Sequence, residues 1–311
     1  MTSDNETLRQ QILRENVKSR RAVGLHDSSC LSLLQLAALY RPELAHELVA
    51  AGQECDLHSS CALGYVDRIE EISSQHAFSQ TIEHLTPMGW AILKGQDESV
   101  DALLRRGDNP NRPLQRIGFF EWEIEALGSV FWFPIHAAST HGYHESASRI
   151  VQLLVEAGAN IEEVSPLGYT PLAMACVYSW TDVISILLQL GADINARSEA
   201  ETDLVWRLSA PAFAERSSGQ TPLMIAAGEG QTKSVELLLR RGCDASLQDH
   251  SGMSAMHIAA SPWWKENSKI VKLLLDSGMD SQVANANGET PAVLAKRRNL
   301  SETFKLLVDS N

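Results

Sequence analysis

The chain has 311 residues, of which 39 are Asp or Glu and 26 are Lys or Arg, for a formal net charge of −13. Nucleic-acid and anionic-membrane partners both need a basic face, so neither is expected. No run of about 18 apolar residues occurs, which leaves no membrane span, and the first ten residues are too polar for a signal peptide. The five cysteines (Cys30, Cys55, Cys61, Cys176 and Cys243) are odd in number and form no CxxC pair. That pattern fits free thiols in a reducing compartment better than disulfides or structural zinc, and a cytoplasmic protein is expected.

In chain order, Asn5 to Val17 reads as a short amphipathic helix, and residues 1–29 as an N-terminal cap and lead-in. Residues 30–311 then read as a succession of helix pairs. The first is Ser32 to Ala38 with Leu44 to Ala51, and the second is Leu57 to Gly64 with Asp67 to Ile72. The pattern sharpens at Thr86-Pro-Met-Gly-Trp-Ala91, followed by Val100 to Leu104 and Gly107-Asp-Asn-Pro-Asn111. It returns as Phe133-Pro-Ile-His-Ala-Ala138 with Val151 to Val155 and Gly158-Ala-Asn160. Next come Gly168-Tyr-Thr-Pro-Leu-Ala-Met-Ala-Cys176 and Gly191-Ala-Asp-Ile-Asn195. Gly219-Gln-Thr-Pro-Leu-Met-Ile-Ala-Ala227 and Gly252-Met-Ser-Ala-Met-His-Ile-Ala-Ala260 follow, and Gly288-Glu-Thr-Pro-Ala-Val-Leu-Ala295 closes the series. Eight units result, six of them clear.

These residues resemble the ankyrin repeat over roughly residues 30 to 310, whose period is 33 and whose signature is Thr-Pro-Leu-His. The resemblance implies an all-α solenoid of helix-turn-helix units with hairpin-type finger loops. Position by position the chemistry agrees. The Thr hydroxyl caps the first helix, and Pro at N1 lacks a donor that would be unsatisfied there anyway. The Leu-rich tract gives the second helix an apolar face, and the Gly after it takes the left-handed conformation that stops the helix. In the family, the His of the signature (His136 and His257 here) bonds the adjoining turn. Trp90 and Cys176, on first helices, read as packing.

The period breaks twice. Between successive Thr-Pro positions the step from Thr86 to Phe133 carries 14 residues beyond 33, and that from Thr170 to Thr221 carries 18. The insertions at 113–132 and 198–218 fall where the family's finger projects beside the concave groove, and insertions in repeat arrays map to one face. Both are therefore expected on the same side, framing a cleft. The first holds Phe119, Phe120, Trp122, Phe131 and Trp132, which either fold into a private mini-core or offer contacts to a partner. The second, with Asp203, Trp206, Arg207 and Phe213, is similar but weaker.

Family contact positions, transferred residue by residue, are the finger residue before Thr-Pro and the two residues after the Ala-Ala pair. They give Trp132, Ser139 and Thr140 with His141 beside them; Tyr169, Val177 and Tyr178; Gln220, Gly228 and Glu229; and Met253, Ser261 and Pro262 with Trp263 and Trp264 following. The expected binding groove thus comprises Trp122, Phe131, Trp132, Thr140, His141, Tyr169, Tyr178, Trp206, Glu229, Trp263 and Trp264.

Rival chemistries are weaker. His136, His141 and His144 with Glu145 suggest a metal site, but the structural role of the signature His outweighs it. Glu121, Glu123 and Glu125 face Glu199, Glu201 and Asp203 across the expected cleft, and a carboxylate beside Trp can titrate high enough to act as an acid or base. No catalytic or phosphate-loop signature occurs. The reading is a non-catalytic module, without cofactor or metal, that binds a protein or peptide. The alternative is a small hydrophobic molecule held, and even transformed, between the insertions by Glu229, Tyr178 and His141.

Overall fold

A computed structural model describes residues 7–8, 11, 31–71, 85–115, 131–140, 145–165, 168–199, 219–262 and 266–310. It divides into two compact units, 1–160 and 161–311. The lead-in at 1–29, apart from residues 7, 8 and 11, lies outside the described residues.

The first unit contains four helix pairs: α1 (Leu33–Tyr40) with α2 (Pro42–Ala50), α3 (Leu57–Leu63) with α4 (Val66–Glu70), α5 (Pro87–Leu93) with α6 (Asp97–Arg105), and α7 (Pro134–Thr140) with α8 (Ala147–Glu156). Strands β1 (Leu114–Gln115) and β2 (Phe131–Trp132) lie between α6 and α7 and pair antiparallel, Leu114 against Trp132 and Gln115 against Phe131. The second unit repeats the plan with α9 (Pro171–Tyr178) and α10 (Thr181–Gln189), α11 (Pro222–Gly228) and α12 (Thr232–Arg240), α13 (Ala255–Ala259) and α14 (Ser268–Asp276), and α15 (Pro291–Arg297) and α16 (Ser301–Asp309).

Most first helices are buried over nearly their whole length; α15 is the exception, with only Pro291, Leu294 and Ala295 buried. In α11, six of the seven residues are buried, Pro222 through Ala227. The second helix buries only a stripe, such as Ser234, Val235, Leu237 and Leu238 of α12. Each fully buried Leu or Val stabilises the stack by about 1.5–3 kcal/mol, and neighbouring units supply most of that cover.

The caps follow the sequence, with one exception. Hydroxyl oxygens of Thr86, Thr170 and Thr221 accept the N–H of Gly89, Ala173 and Met224 at 3.2, 3.3 and 3.4 Å. Thr290 makes no side-chain cap bond. At the other end of the pair, Gly52, Gly107, Gly158, Gly191, Gly242 and Gly278 all take positive φ.

The Asp and Asn residues after these glycines have a role that the sequence pattern alone did not reveal. Asn195 Oδ1 accepts the N–H of Asp244, one unit on, at 2.9 Å, and Asn111 Oδ1 accepts that of Asn160 at 2.9 Å. Glu162 does the same for Asp193 at 2.6 Å. In these three turns a polar residue four places after the glycine therefore staples one turn to the next.

Candidate functional site

The fingers share one construction. In the shortest, Asp249 N–H donates to Met253 O at 2.9 Å, and the Asp249 carboxylate accepts the N–H groups of Ser251 and Met253, both at 2.9 Å. Asn285 repeats this with Glu289: its N–H reaches Glu289 O at 2.9 Å, and its Oδ1 accepts from Glu289 at 3.0 Å. Ser165 and Tyr169 form the same pair, Tyr169 N–H donating to Ser165 Oγ at 3.1 Å. A short polar side chain thus closes a turn with two residues between it and a glycine.

The enlarged fingers keep this base. Ser198 N–H donates to Gln220 O at 2.8 Å, and Gln220 N–H donates to Ser198 Oγ at 3.0 Å. The register of Asp249 and Met253 is preserved with residues 199–218 in place of two. In the first unit Leu114 and Trp132 stand opposite each other in the same way. Each insertion therefore enters at the tip of a finger and leaves its root intact. The tips, 116–130 and 200–218, lie outside the described residues, and with them Trp122, Trp206 and the expected cleft.

Within the second unit, six transferred contact positions come together. Gln220, Gly228, Glu229, Met253, Ser261 and Pro262 all line one cavity of about 240 Å³. Met224, Ile225, Ile258 and Leu294 give it an apolar floor, while Asp249, Glu289, Arg297 and Arg298 bring charge to its walls. Burial raises the Asp249 carboxyl, opposed by its hydrogen bonds to Met253 and Ser251. Glu289 pairs with Arg297, which leaves the cavity with both signs of charge and no single dominant field.

His257 ties the closing finger to this wall. Its Nδ1 accepts the Ser254 N–H at 3.1 Å, so the proton sits on Nε2, which donates to Glu289 O at 3.1 Å. Burial, the largest cause, lowers its pKa and keeps the ring neutral. This is the role expected of the signature His.

The other transferred residues are placed differently. Thr140 is buried, and its hydroxyl donates to His136 O and Ala137 O of its own helix, both at 3.0 Å; Ser139 likewise donates to Ile135 O at 2.8 Å. Their hydroxyls thus serve their own helix, because a helical Ser or Thr reaches the carbonyl one turn back. Tyr169 is 6 % exposed. Tyr178 stacks on Trp180, ring centroids 6.4 Å apart, so Trp180 joins the aromatic surface without having been singled out. Phe131 and Trp132 are placed by backbone only, and His141, Trp263 and Trp264 lie outside the described residues. Glu289 and Arg297 were also missed: the rule that picked Gln220 and Met253 selects Glu289 once extended to the closing unit.

Among the described residues no group of three or more His, Cys, Asp or Glu side chains is arranged to hold a metal ion. No described helix is long and apolar enough to cross a membrane. The cavity offers hydrogen bonding and charge pairing over an apolar floor, which suits recognition.

The family model for ankyrin repeats in three copies matches residues 123–198, 199–283 and 223–311. The B-cell lymphoma 3 protein homolog of Mus musculus is 26 % identical over 220 residues, 71 % of this chain and 42 % of that protein. The E3 ubiquitin-protein ligase KEG of Arabidopsis thaliana is 25 % identical over 328 residues, 95 % of this chain and 18 % of the ligase. Ankyrin repeat protein nuc-2 of Neurospora crassa is 26 % identical over 204 residues, 60 % of this chain and 17 % of that protein. The chain spans less than half the length of each of these relatives. The helix pairs repeated along the described residues and a family match running from 123 to 311 lead to one conclusion: the chain belongs to the ankyrin-repeat family.

Proposed function

We propose that the chain is a non-catalytic binding module that recognises a protein or peptide, with contact residues supplied by its enlarged, aromatic-rich fingers and by the cavity of the second unit. The observation that carries this reading is the retention of the finger root at Ser198 and Gln220 despite the residues inserted at the tip. An insertion that leaves the scaffold's hydrogen bonds untouched is free to be shaped by a partner, and loops on a rigid scaffold are where binding residues concentrate. Ankyrin repeats generally serve as protein–protein interaction modules, which supports the same choice.

The cavity's size favours a peptide over the small-molecule alternative. Sites that engulf a drug-sized ligand enclose about 300–1,000 Å³; about 240 Å³ suits one or two side chains of a longer partner. Met224 and Met253 in its lining can adapt to different side chains.

The test is a pair of variants of the full chain. In the first, 199–218 are replaced by the two residues His-Ser found at 250–251; in the second, Glu229→Arg reverses a charge in the cavity wall. Proteins from the native host captured by the unaltered chain and quantified by mass spectrometry should fall at least tenfold with either variant, while thermal unfolding stays cooperative. Undiminished capture by both variants overturns the reading.

A further inference from the structure

Lys94 follows α5 and stands as far after Thr86 as Glu229, in the wall of the second unit's cavity, stands after Thr221. It is half-buried, and its Nζ donates to Leu39 O at the end of α1, two helix pairs back, at 2.7 Å. Bonds of this kind recur along the chain, but with neutral donors. Gln96 Nε2 donates to Ala62 O at 3.3 Å, Gln231 Nε2 to Val177 O at 2.7 Å, and Asn267 Nδ2 to Gly230 O at 3.1 Å. Each acceptor lies at or just after the end of the preceding first helix. Closing that helix therefore asks for a donor and not for a charge.

The charge on Lys94 has no carboxylate beside it. Arg105 meets Glu70 and Asp101 at 2.8 and 3.0 Å, Arg112 meets Asp108 at 3.5 Å, and Lys269 meets Glu236 at 3.1 Å. No carboxylate among the described residues acts on Lys94 in this way; burial is the one influence on its ammonium and lowers its pKa. The end of α1 supplies partial negative charge, about half an elementary charge for an ordinary helix, and Leu39 O accepts only one of the ammonium's N–H groups. Donors and charge are both left over. With buried Leu39 and Leu93 beside it, a charge-assisted bond formed there is stronger than one in open water.

We propose that Lys94, held in place by the end of α1, anchors an aspartate or glutamate side chain of a protein partner, whose carboxylate takes the donors that Leu39 leaves. One ammonium matches the single charge of a carboxylate, whereas a phosphate group, with nearly two charges, calls for several donors or an arginine fork. The bond to Leu39 O orders the lysine before a partner arrives, so little side-chain freedom is lost on binding. This inference rests on the binding role proposed above and adds to it a charge requirement, at a place outside the fingers and the second unit's cavity.

Random peptides displayed on phage and selected against the full chain supply the probe. Some of the selected peptides should lose about tenfold or more in affinity on Lys94→Met, and as much when one Asp or Glu of the peptide becomes Asn or Gln, with the two losses not additive. Lys94→Gln, which keeps a neutral donor near Leu39 O, should lose as much as Lys94→Met, and Lys94→Arg should recover part of the loss. Binding kept by Lys94→Gln assigns the lysine to closing α1 alone and overturns the anchor. Peptides that bind but ignore Lys94, or whose acidic residues act independently of it, also overturn it and leave the binding role standing. A library that yields no binder removes both.

Discussion

The fingers at 249–253 and 198–220 are the same structure at their roots and different structures beyond. In the short finger, Gly252 lies against the next finger, where Ala286 N–H donates to Ser251 O at 3.0 Å. In the enlarged finger, the corresponding Gly219 faces the His250 ring instead. Arg197 spans the two, donating to Gly219 O at 3.0 Å and Gln248 O at 2.8 Å. The short finger is packed into the array as scaffold. The enlarged one keeps the same root, anchored to the array through Ser198, Gln220 and Arg197.

The largest effect should come from breaking the packed finger. Both Gly252 and Gly219 have positive φ, +73° and +85°, so alanine is strained at either. At Gly252 a Cβ would lie 2.6 Å from Ala286 N and 3.1 Å from Asn285 C, backbone atoms that cannot swing aside. At Gly219 the obstacle is the His250 side chain at 2.8 Å, which can rotate. Gly252→Ala should cost about 3 kcal/mol or more and Gly219→Ala about 1 kcal/mol, the strain alone. Equal costs in chemical denaturation would show that the two fingers are packed alike and remove the distinction.

Much of this scaffold is legible in the residues. The Thr-Pro caps, Leu-rich stripes and stop glycines each report a local rule, and the period of 33 breaks at the two fingers whose roots pair Leu114 with Trp132 and Ser198 with Gln220. What escaped depends on contacts between units. Asn111 and Asn195 look like turn residues until their carbonyl oxygens are seen on the neighbouring turn. Asp108 reads as part of a Gly-Asp turn, and only its burial and the uncharged residues in its register make it unusual. The cavity extends into the closing unit, where Glu289 and Arg297 could have been found by the same rule, while the hydroxyls of Ser139 and Thr140 are consumed by their own helix.

A second, intermediate effect concerns the enlarged tip. Replacing residues 199–218 by two shortens the closed loop about tenfold, and loop-closure entropy alone predicts a gain of about 2 kcal/mol. That gain is expected if the inserted residues are merely carried by the root at Ser198 and Gln220. A loss of stability on trimming would mean that the insertion braces the array, and the contrast between anchored and packed fingers would then fail. Urea denaturation of the trimmed and full chains, with slopes compared as well as midpoints, separates the two outcomes.

The smallest effect lies at the root itself. Ser198→Ala removes the hydroxyl that accepts the Gln220 N–H, while the Ser198 N–H bond to Gln220 O remains available. Gln220 is 8 % exposed, so its N–H is left without water as well, and the cost should be about 1 kcal/mol. Ser165→Ala takes the same bond from Tyr169 in a short finger, at 3.1 Å, and should cost as much. Their consequences for binding should differ. Loosening the root at Ser198 misdirects every residue of the tip above it, so Ser198→Ala should weaken partner capture several-fold beyond its stability cost. Ser165→Ala has no enlarged tip to misdirect and should leave capture unchanged. If both variants weaken it alike, the partner reads the array as a whole and not the enlarged finger.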